Sequence, residues 1–293
     1  MKGIILAAGQ GTRLYPASLP ISKILLPIYD KPMIYYPMST LMLAGIKDVL
    51  IITNETDYDN FKKLFGDGSQ FGMNIEYKIQ YVQRGIADAF IIAEDFINND
   101  DVALILGDNI FHGFGFSTMM QNAIKNNSGA TVFGYKVKDP ERFGVVEFDS
   151  NRKAISLEEK PQNPKSKYAV TGLYFYDKNV CEYAKQLVPS ARGELEITDL
   201  NKIYLEKGLL NVEILGRGFT WLDTGTHDSM LQASNFIQSM ELNKGEKIAC
   251  LEEIALNHGF ITSDELENQI LKYGNKNSYF YYVSDIIKEK RDV

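Results

Sequence analysis

The chain has 293 residues, 45% of them hydrophobic, enough to bury a large core in one α/β domain or in a domain with an appendage. Its 31 basic and 38 acidic residues leave a formal charge of −7, which argues against a nucleic-acid or anionic-membrane surface. Only Cys181 and Cys250 are present, and His112, His227 and His258 lack paired-ligand spacing, so no disulfide framework or zinc site is indicated and a reduced, cytoplasmic setting is expected.

The first apolar run, Gly3 to Ala8, is too short for the apolar region of a signal peptide and runs into Gly, Gln and Arg, so it reads as a strand. No stretch approaches membrane-spanning length. In chain order, strands are expected at Lys2–Ala7, Val49–Thr53, Ile75–Gln80, Val102–Leu106, Ala130–Val137, Gly144–Phe148, Ala154–Glu158 and Val170–Phe175. Helices are expected between them at Met33–Ala44, Tyr58–Leu64, Ile86–Phe96 and Ser117–Lys125. Asp149-Ser150-Asn151-Arg152 sits between two strand patterns and reads as a hairpin, where the sheet becomes mixed. After Trp221 the strands stop, and Thr226–Met240, Ile248–Leu256, Ser263–Tyr273 and Tyr279–Lys290 read as helices. The expected architecture is therefore α/β: a Rossmann-like mixed, mostly parallel sheet flanked by helices, with a C-terminal helical appendage. Residues 1–225 form the expected core and 226–293 the appendage, suited to oligomer or regulatory contacts.

The first strand ends in L-A-A-G-Q-G-T-R-L, from Leu6 to Leu14. Gly9 and Gly11 allow a tight turn and close approach, and Arg13 with Lys23 flanks a loop whose backbone N–H groups favour anions. A dinucleotide fingerprint is disfavoured, because Leu14 occupies the third glycine position and no ribose-binding acid stands at the right distance. No Walker loop occurs, and a plain strand-to-helix turn is the remaining alternative. Asp108 follows the apolar strand Val102–Leu106, where a metal carboxylate, a turn residue or a helix cap would each fit. Asp223 follows a second short apolar run and could equally cap the next helix. Should the two meet, they and phosphate oxygens would suit Mg²⁺. Glu159-Lys160-Pro161, with Phe143-Gly144 before it and Val170 to Tyr174 after it, offers hydroxyl-binding acids, a cation and an apolar wall for a sugar phosphate. A solvated charge cluster is the plainer reading, and Arg192 adds either another basic contact or a helix start.

Taken together, these blocks resemble the bacterial glucose-1-phosphate thymidylyltransferases (dTDP-glucose pyrophosphorylases) of the sugar nucleotidyltransferase superfamily. The likeness runs over essentially the whole length: the opening loop through Lys23, L-L-P-I-Y-D-K-P-M-I-Y-Y-P from Leu25, G-D-N-I-F from Gly107, D-P-E-R-F-G-V-V-E-F from Asp139, E-E-K-P, V-T-G-L-Y-F-Y, S-A-R-G-E-L-E-I-T-D from Ser190 and W-L-D-T-G-T-H. The resemblance implies transfer of a thymidylyl group from dTTP to glucose 1-phosphate, opening dTDP-rhamnose or related deoxysugar synthesis, with Mg²⁺ as cofactor and a homotetramer as assembly. It implies that Leu6, Gly9, Gly11, Thr12, Arg13 and Lys23 hold the nucleotide and its phosphates, that Gln80, Gln83 and Gly85 lie at the base, and that Asp108 and Asp223 bind the metal. It further implies a sugar-phosphate seat of Gly144, Glu159, Lys160, Val170 and Tyr174, with Arg192 and Trp221 near by, and a catalytic set of Arg13, Lys23, Asp108, Lys160 and Asp223.

Three departures stand out. Ala8 replaces a usual second glycine, Gln83 and Arg84 replace the usual Pro and Asp of the base-binding stretch, and Asn257 and His112 replace residues of the family's regulatory region. The expected consequence is a dTTP preference loose enough for measurable use of UTP, with feedback control left open. The alternatives are the same chemistry on UTP or another sugar 1-phosphate, a non-catalytic nucleotide-sugar sensor, and an NAD-dependent dehydrogenase that Leu14 already disfavours.

Overall fold

The computed structural model describes residues 1–151, 153–273 and 277–291. Its first half runs through β1 (Lys2–Ala7), the short pair β2 (Pro27–Ile28) and β3 (Lys31–Pro32), α1 (Tyr35–Leu43), β4 (Asp48–Thr53), α2 (Tyr58–Phe65), β5 (Asn74–Ile79), α3 (Asp88–Ile92), α4 (Glu94–Ile97), β6 (Val102–Leu106), β7 (Asn109–His112) and α5 (Phe116–Lys125). The second half adds β8 (Ala130–Lys136), β9 (Gly144–Phe148), β10 (Ala154–Glu159), β11 (Tyr168–Tyr176), α6 (Val180–Lys185), α7 (Ile197–Glu206), β12 (Leu210–Leu215) and β13 (Thr220–Asp223). Four helices close the chain: α8 (His227–Lys244), α9 (Leu251–Asn257), α10 (Ser263–Tyr273) and α11 (Ser278–Arg291).

The main sheet has nine strands, in the order β10-β9-β11-β6-β1-β4-β5, with β8 beside β11 and β12 beside β8. From β6 through β1 and β4 to β5 every pairing is parallel. β11 then runs antiparallel to β6, β8 and β9, so the sheet is mixed. An unbroken apolar strand needs cover on both faces, and β1 has it. Ile5 packs with Ile51 and Ile105 on one face, while Ile4 packs with Leu50 and Leu104 on the other. The first of these clusters also takes in the apolar side chains of α1 and of the C-terminal helices.

Most expected elements occur within a residue or two of their expected bounds. The segment Ile86–Phe96 differs: it divides into α3 and α4 at Ala93, whose ψ of 3° breaks the helical path. It begins at Asp88, and the Ala87 N–H before it, which no helical carbonyl would accept, donates to the Leu195 carbonyl at 3.2 Å. The strands β9 and β10 pair antiparallel, as the expected hairpin requires, although Arg152 lies outside the described residues. Among the elements missing from the sequence reading are β7 and β13, four residues each and polar at both ends, which leaves little period to detect. The alternation in β12, L-N-V-E-I-L, was detectable. No helix among the described residues is long and apolar enough to cross a membrane.

Candidate active site

The cleft forms where the parallel strands end. β1 runs into Ala8-Gly9-Gln10-Gly11, and the Gly11 φ of 64° turns the chain into a short helical turn carrying Arg13. A Cβ on Gly11 would stand 3.1 Å from the Lys23 Cβ and 3.2 Å from the Ser18 Cβ, so this close approach needs glycine on both counts. The Lys23 ammonium forms an ion pair with the Asp108 carboxylate at the end of β6. Asp108 is fixed from its backbone as well, since its carbonyl accepts from Thr224 N–H at 3.1 Å and from Thr224 Oγ1 at 2.8 Å.

A second, two-stranded sheet brings the acids together. β7 and β13 pair antiparallel with Asn109 opposite Asp223, which sets Asp223 beside Asp108. Burial raises the Asp223 pKa and the Asp108 charge raises it further, against the pull of Lys23, Arg13 and Arg142. Asp108 responds oppositely: burial pushes its pKa up, but the charge and hydrogen bond of Lys23 outweigh that and hold it below its ordinary value. The Arg13 guanidinium also lies over Gly225, because a Cβ there would be 3.7 Å from Arg13 Cζ and 3.3 Å from Asp223 Oδ1.

From the two aspartates a cavity of about 310 Å³ extends toward β10, β11 and α7. Among the residues expected at the site, Arg13, Asp108, Gly144, Glu159, Lys160, Val170, Tyr174, Arg192, Trp221 and Asp223 line it. Glu159 accepts from Thr198 Oγ1 at 2.5 Å and lies 3.4 Å from the Lys160 ammonium and 3.5 Å from the Arg192 guanidinium. Arg192 is also tied to Glu196 at 2.8 Å. Gly144 leaves room for this cluster: a Cβ there would be 3.2 Å from Thr198 Oγ1. Burial, then the Glu159 charge, raises the Tyr174 phenol well above its ordinary pKa, so it is a neutral donor.

The remaining expected residues lie outside that cavity. Leu6 is in β1 and its carbonyl accepts from Gly107 N–H at 3.0 Å. Gly9 and Thr12 belong to the opening loop, with a Cβ on Gly9 falling 3.8 Å from Lys23 Cε. Gln83 reaches back to that loop, donating from Nε2 to the Ala8 carbonyl at 2.7 Å. Gln80 is buried and donates from Nε2 to Asp88 at 2.9 Å, a carboxylate that Arg84 also holds at 2.8 Å. Gly85, at φ 99°, presses on the Leu195 backbone, where a Cβ would come within 2.5 Å of the carbonyl. Asn109, Arg142 and Thr198 also line the cavity and had been given no role, although the quoted blocks contain all three.

Residues 2–240 match the family described as nucleotidyl transferase. The chain belongs to that family. Among its relatives, a glucose-1-phosphate thymidylyltransferase of Neisseria meningitidis is 58% identical, covering 99% of this chain and 100% of that protein. One of Xanthomonas campestris is 53% identical over 98% of this chain and 97% of its own length. A Bacillus anthracis protein described as a glucose-1-phosphate thymidylyltransferase, solved in complex with sucrose, has a TM-score of 0.74 and 45% identity, over 80% of this chain and 94% of that one. A UDP-glucose pyrophosphorylase solved with UDP-glucose shares the fold, with a TM-score of 0.71 at 24% identity over 82% of this chain and 98% of that one. In this nucleotidyl transferase the loop after β1 and the cavity beside Asp108 thus occupy the carboxyl edge of the sheet, where open α/β folds bind ligands.

Proposed function

We propose that this enzyme transfers a thymidylyl group from dTTP to α-D-glucose 1-phosphate, giving dTDP-glucose and pyrophosphate and supplying dTDP-rhamnose or related deoxysugar synthesis. The observation that carries the reading is one continuous cavity that runs from Arg13, Asp108 and Asp223 to Glu159, Lys160 and Arg192. It supplies cations for phosphate groups at both ends and hydrogen-bonding acids for a sugar between them. A sugar-phosphate oxygen attacks the α-phosphorus of dTTP in line, the bond to the β-phosphate oxygen breaks, and pyrophosphate leaves. A phosphate monoester has its second pKa near 6, so the nucleophile is ionised at pH 7 and needs no base. Catalysis then rests on positioning and charge neutralisation.

Arg13 and Lys23 take the triphosphate, with Leu6, Gly9, Gly11 and Thr12 shaping the loop, and Gln80, Gln83 and Gly85 border the base. Lys160 holds the attacking phosphate, helped by Arg192. Gly144, Glu159, Val170, Tyr174 and Trp221 seat the glucose. The acids fit a hard divalent cation: both donors are carboxylate oxygens, and their mutual repulsion, which raises Asp223, is what a bound dication relieves. Among the described residues no group of three or more His, Cys, Asp or Glu is placed to hold a metal ion by itself, so substrate oxygens and water would complete the coordination. Mg²⁺ held by Asp108 and Asp223 would supply charge neutralisation between the α-phosphate and the sugar phosphate. The helices α8 to α11 provide contacts between copies in a homotetramer, which sedimentation equilibrium tests.

Pyrophosphate release across a grid of nucleoside triphosphates and sugar 1-phosphates tests the assignment. The highest kcat/KM is expected for dTTP with glucose 1-phosphate. The thymine methyl contributes roughly 0.8 kcal/mol, so UTP should follow within about tenfold. A different best pair overturns the function, and a UTP value over about a thousandfold lower, some 4 kcal/mol, overturns the loose base pocket alone.

A further inference from the structure

Asn109 is the residue on which the two halves of the cleft converge. Its side chain is 3% exposed, and both its nitrogen and its oxygen are hydrogen-bonded. Nδ2 donates to Asp108 Oδ1 at 3.0 Å. Oδ1 accepts twice, from Trp221 Nε1 at 2.6 Å and from Gly172 N–H at 3.0 Å. The amide orientation is forced by chemistry, because a carboxylate only accepts, whereas indole and backbone N–H groups only donate. A flipped amide would face two donors with its own NH₂ and a carboxylate with its oxygen. Gly172 completes the fit, since a Cβ there would lie 2.7 Å from Asn109 Oδ1. The bond also divides the duties of Asp108, whose Oδ1 goes to Asn109 while Oδ2 meets Lys23.

We propose that Asn109 is a positioning residue that fixes the rotation of the Asp108 carboxylate through Nδ2 and the Trp221 indole through Oδ1. The inference rests on the metal-binding reading of Asp108 and deepens it. Hydrogen-bonding partners just outside a metal's ligands set ligand orientation, and losing one costs about 10–100-fold in metal affinity or activity. Here one side chain does this for the acid and for the aromatic wall of the sugar seat together. Trp221 is the sole tryptophan of the chain, so its fluorescence reports on this unit without labelling.

The test pairs two substitutions. Asn109→Asp keeps the acceptor for Trp221 and Gly172 but replaces the donor to Asp108 with a repelling oxygen. Asn109→Ser shortens the side chain away from all three partners. For Asn109→Asp we expect kcat to fall about 10–100-fold and Mg²⁺ half-saturation, followed by Trp221 emission, to move upward by a similar factor. Its sugar-phosphate KM should stay within about threefold of wild type, because the indole keeps its acceptor. For Asn109→Ser the Trp221 emission maximum of the metal-free protein should shift as well, and the sugar-phosphate KM should rise. Near-normal metal half-saturation and kcat in folded Asn109→Asp overturn the proposal. So do equal losses in both variants accompanied by equally lowered melting temperatures, which would make Asn109 a strut only. Asp108→Asn separates the two levels: if it leaves metal binding and turnover normal, the metal reading itself has failed.

Discussion

Asp108 and Asp223 have unequal surroundings but act on one site, so the loss of either is expected to be costly. Lys23 stabilises the Asp108 charge, while Asp223 meets burial and the Asp108 charge, relieved in part by Lys23, Arg13 and Arg142. Asp108→Asn and Asp223→Asn should each lower turnover about 100-fold, the scale of one lost electrostatic contact to a developing charge. Steady-state assays at saturating Mg²⁺ decide this, and near-normal kcat in both variants removes the metal assignment. Arg13 and Lys160 should behave differently from each other. Arg13 stands at the aspartate end and Lys160 at the Glu159 end of the cavity, where the Lys160 φ of 42° aims its side chain from the end of β10. Arg13→Ala is therefore expected to lower kcat about 100-fold with little change in sugar-phosphate KM. Lys160→Ala should raise that KM by about tenfold or more, with a smaller loss of kcat. The reverse pattern would exchange the two roles.

At the scale of elements, the sequence showed the individual acids and cations but not the ladder that assembles them. The long apolar runs of β1, β4 and β6 were legible because both faces are buried and no polar residue interrupts them. β7 and β13 were not, because N-I-F-H and T-W-L-D are too short for a period and carry the polar residues the cleft needs. Their pairing converts two turn-like aspartates, more than a hundred positions apart, into neighbours. Asn109 was overlooked for a related reason: an asparagine after an aspartate reads as a turn, and its partners come from two distant strands. The C-terminal helices were legible, but not what docks them. Two carboxylates at the start of α9 accept from α11, Glu252 from Tyr279 at 2.5 Å and Glu253 from Tyr282 at 2.7 Å. Burial raises both acids. A carboxyl raised in the folded state binds more protons there than when unfolded, so its contribution to stability falls as pH rises from the ordinary glutamate value of 4.5 through the folded value. Glu252→Gln keeps an acceptor for Tyr279 without the buried charge. It should raise the melting temperature by about 2–4 °C at pH 8, the scale of 1 kcal/mol, with a smaller gain at pH 5. Melting curves at the two values check the sign, and a wild type more stable at pH 8 than the variant refutes it.

The molecule as a whole is bound across residue 225 by packing and by charge. Ala233, Ile237, Leu251, Ala255, Leu266, Val283 and Ile287 share one apolar cluster with Ile5, Ile51 and the α1 residues Met38, Leu41 and Met42. Beside it the buried Lys31 of β3 meets Glu241 of α8 at 2.9 Å, and Lys247 meets Asp30 at 2.6 Å. A closer seam lies at Gly72, whose φ is 63° and whose Cβ, if present, would stand 2.1 Å from the Phe260 carbonyl oxygen between α9 and α10. Gly72→Ala must therefore both hold a left-handed backbone, at about 1–2 kcal/mol, and push the C-terminal layer off the sheet layer, at about 1–3 kcal/mol for overpacking. The expected outcome is a loss of about 2–5 kcal/mol in urea unfolding, still through a single transition, because both layers draw on the same core. Sugar-phosphate KM should remain near the wild-type value, since Gly72 does not line the catalytic cavity. Two separated transitions would show that residues 226–293 unfold on their own. Unchanged stability would show that α9 and α10 shift aside at little cost, and would refute a rigid seam at Gly72.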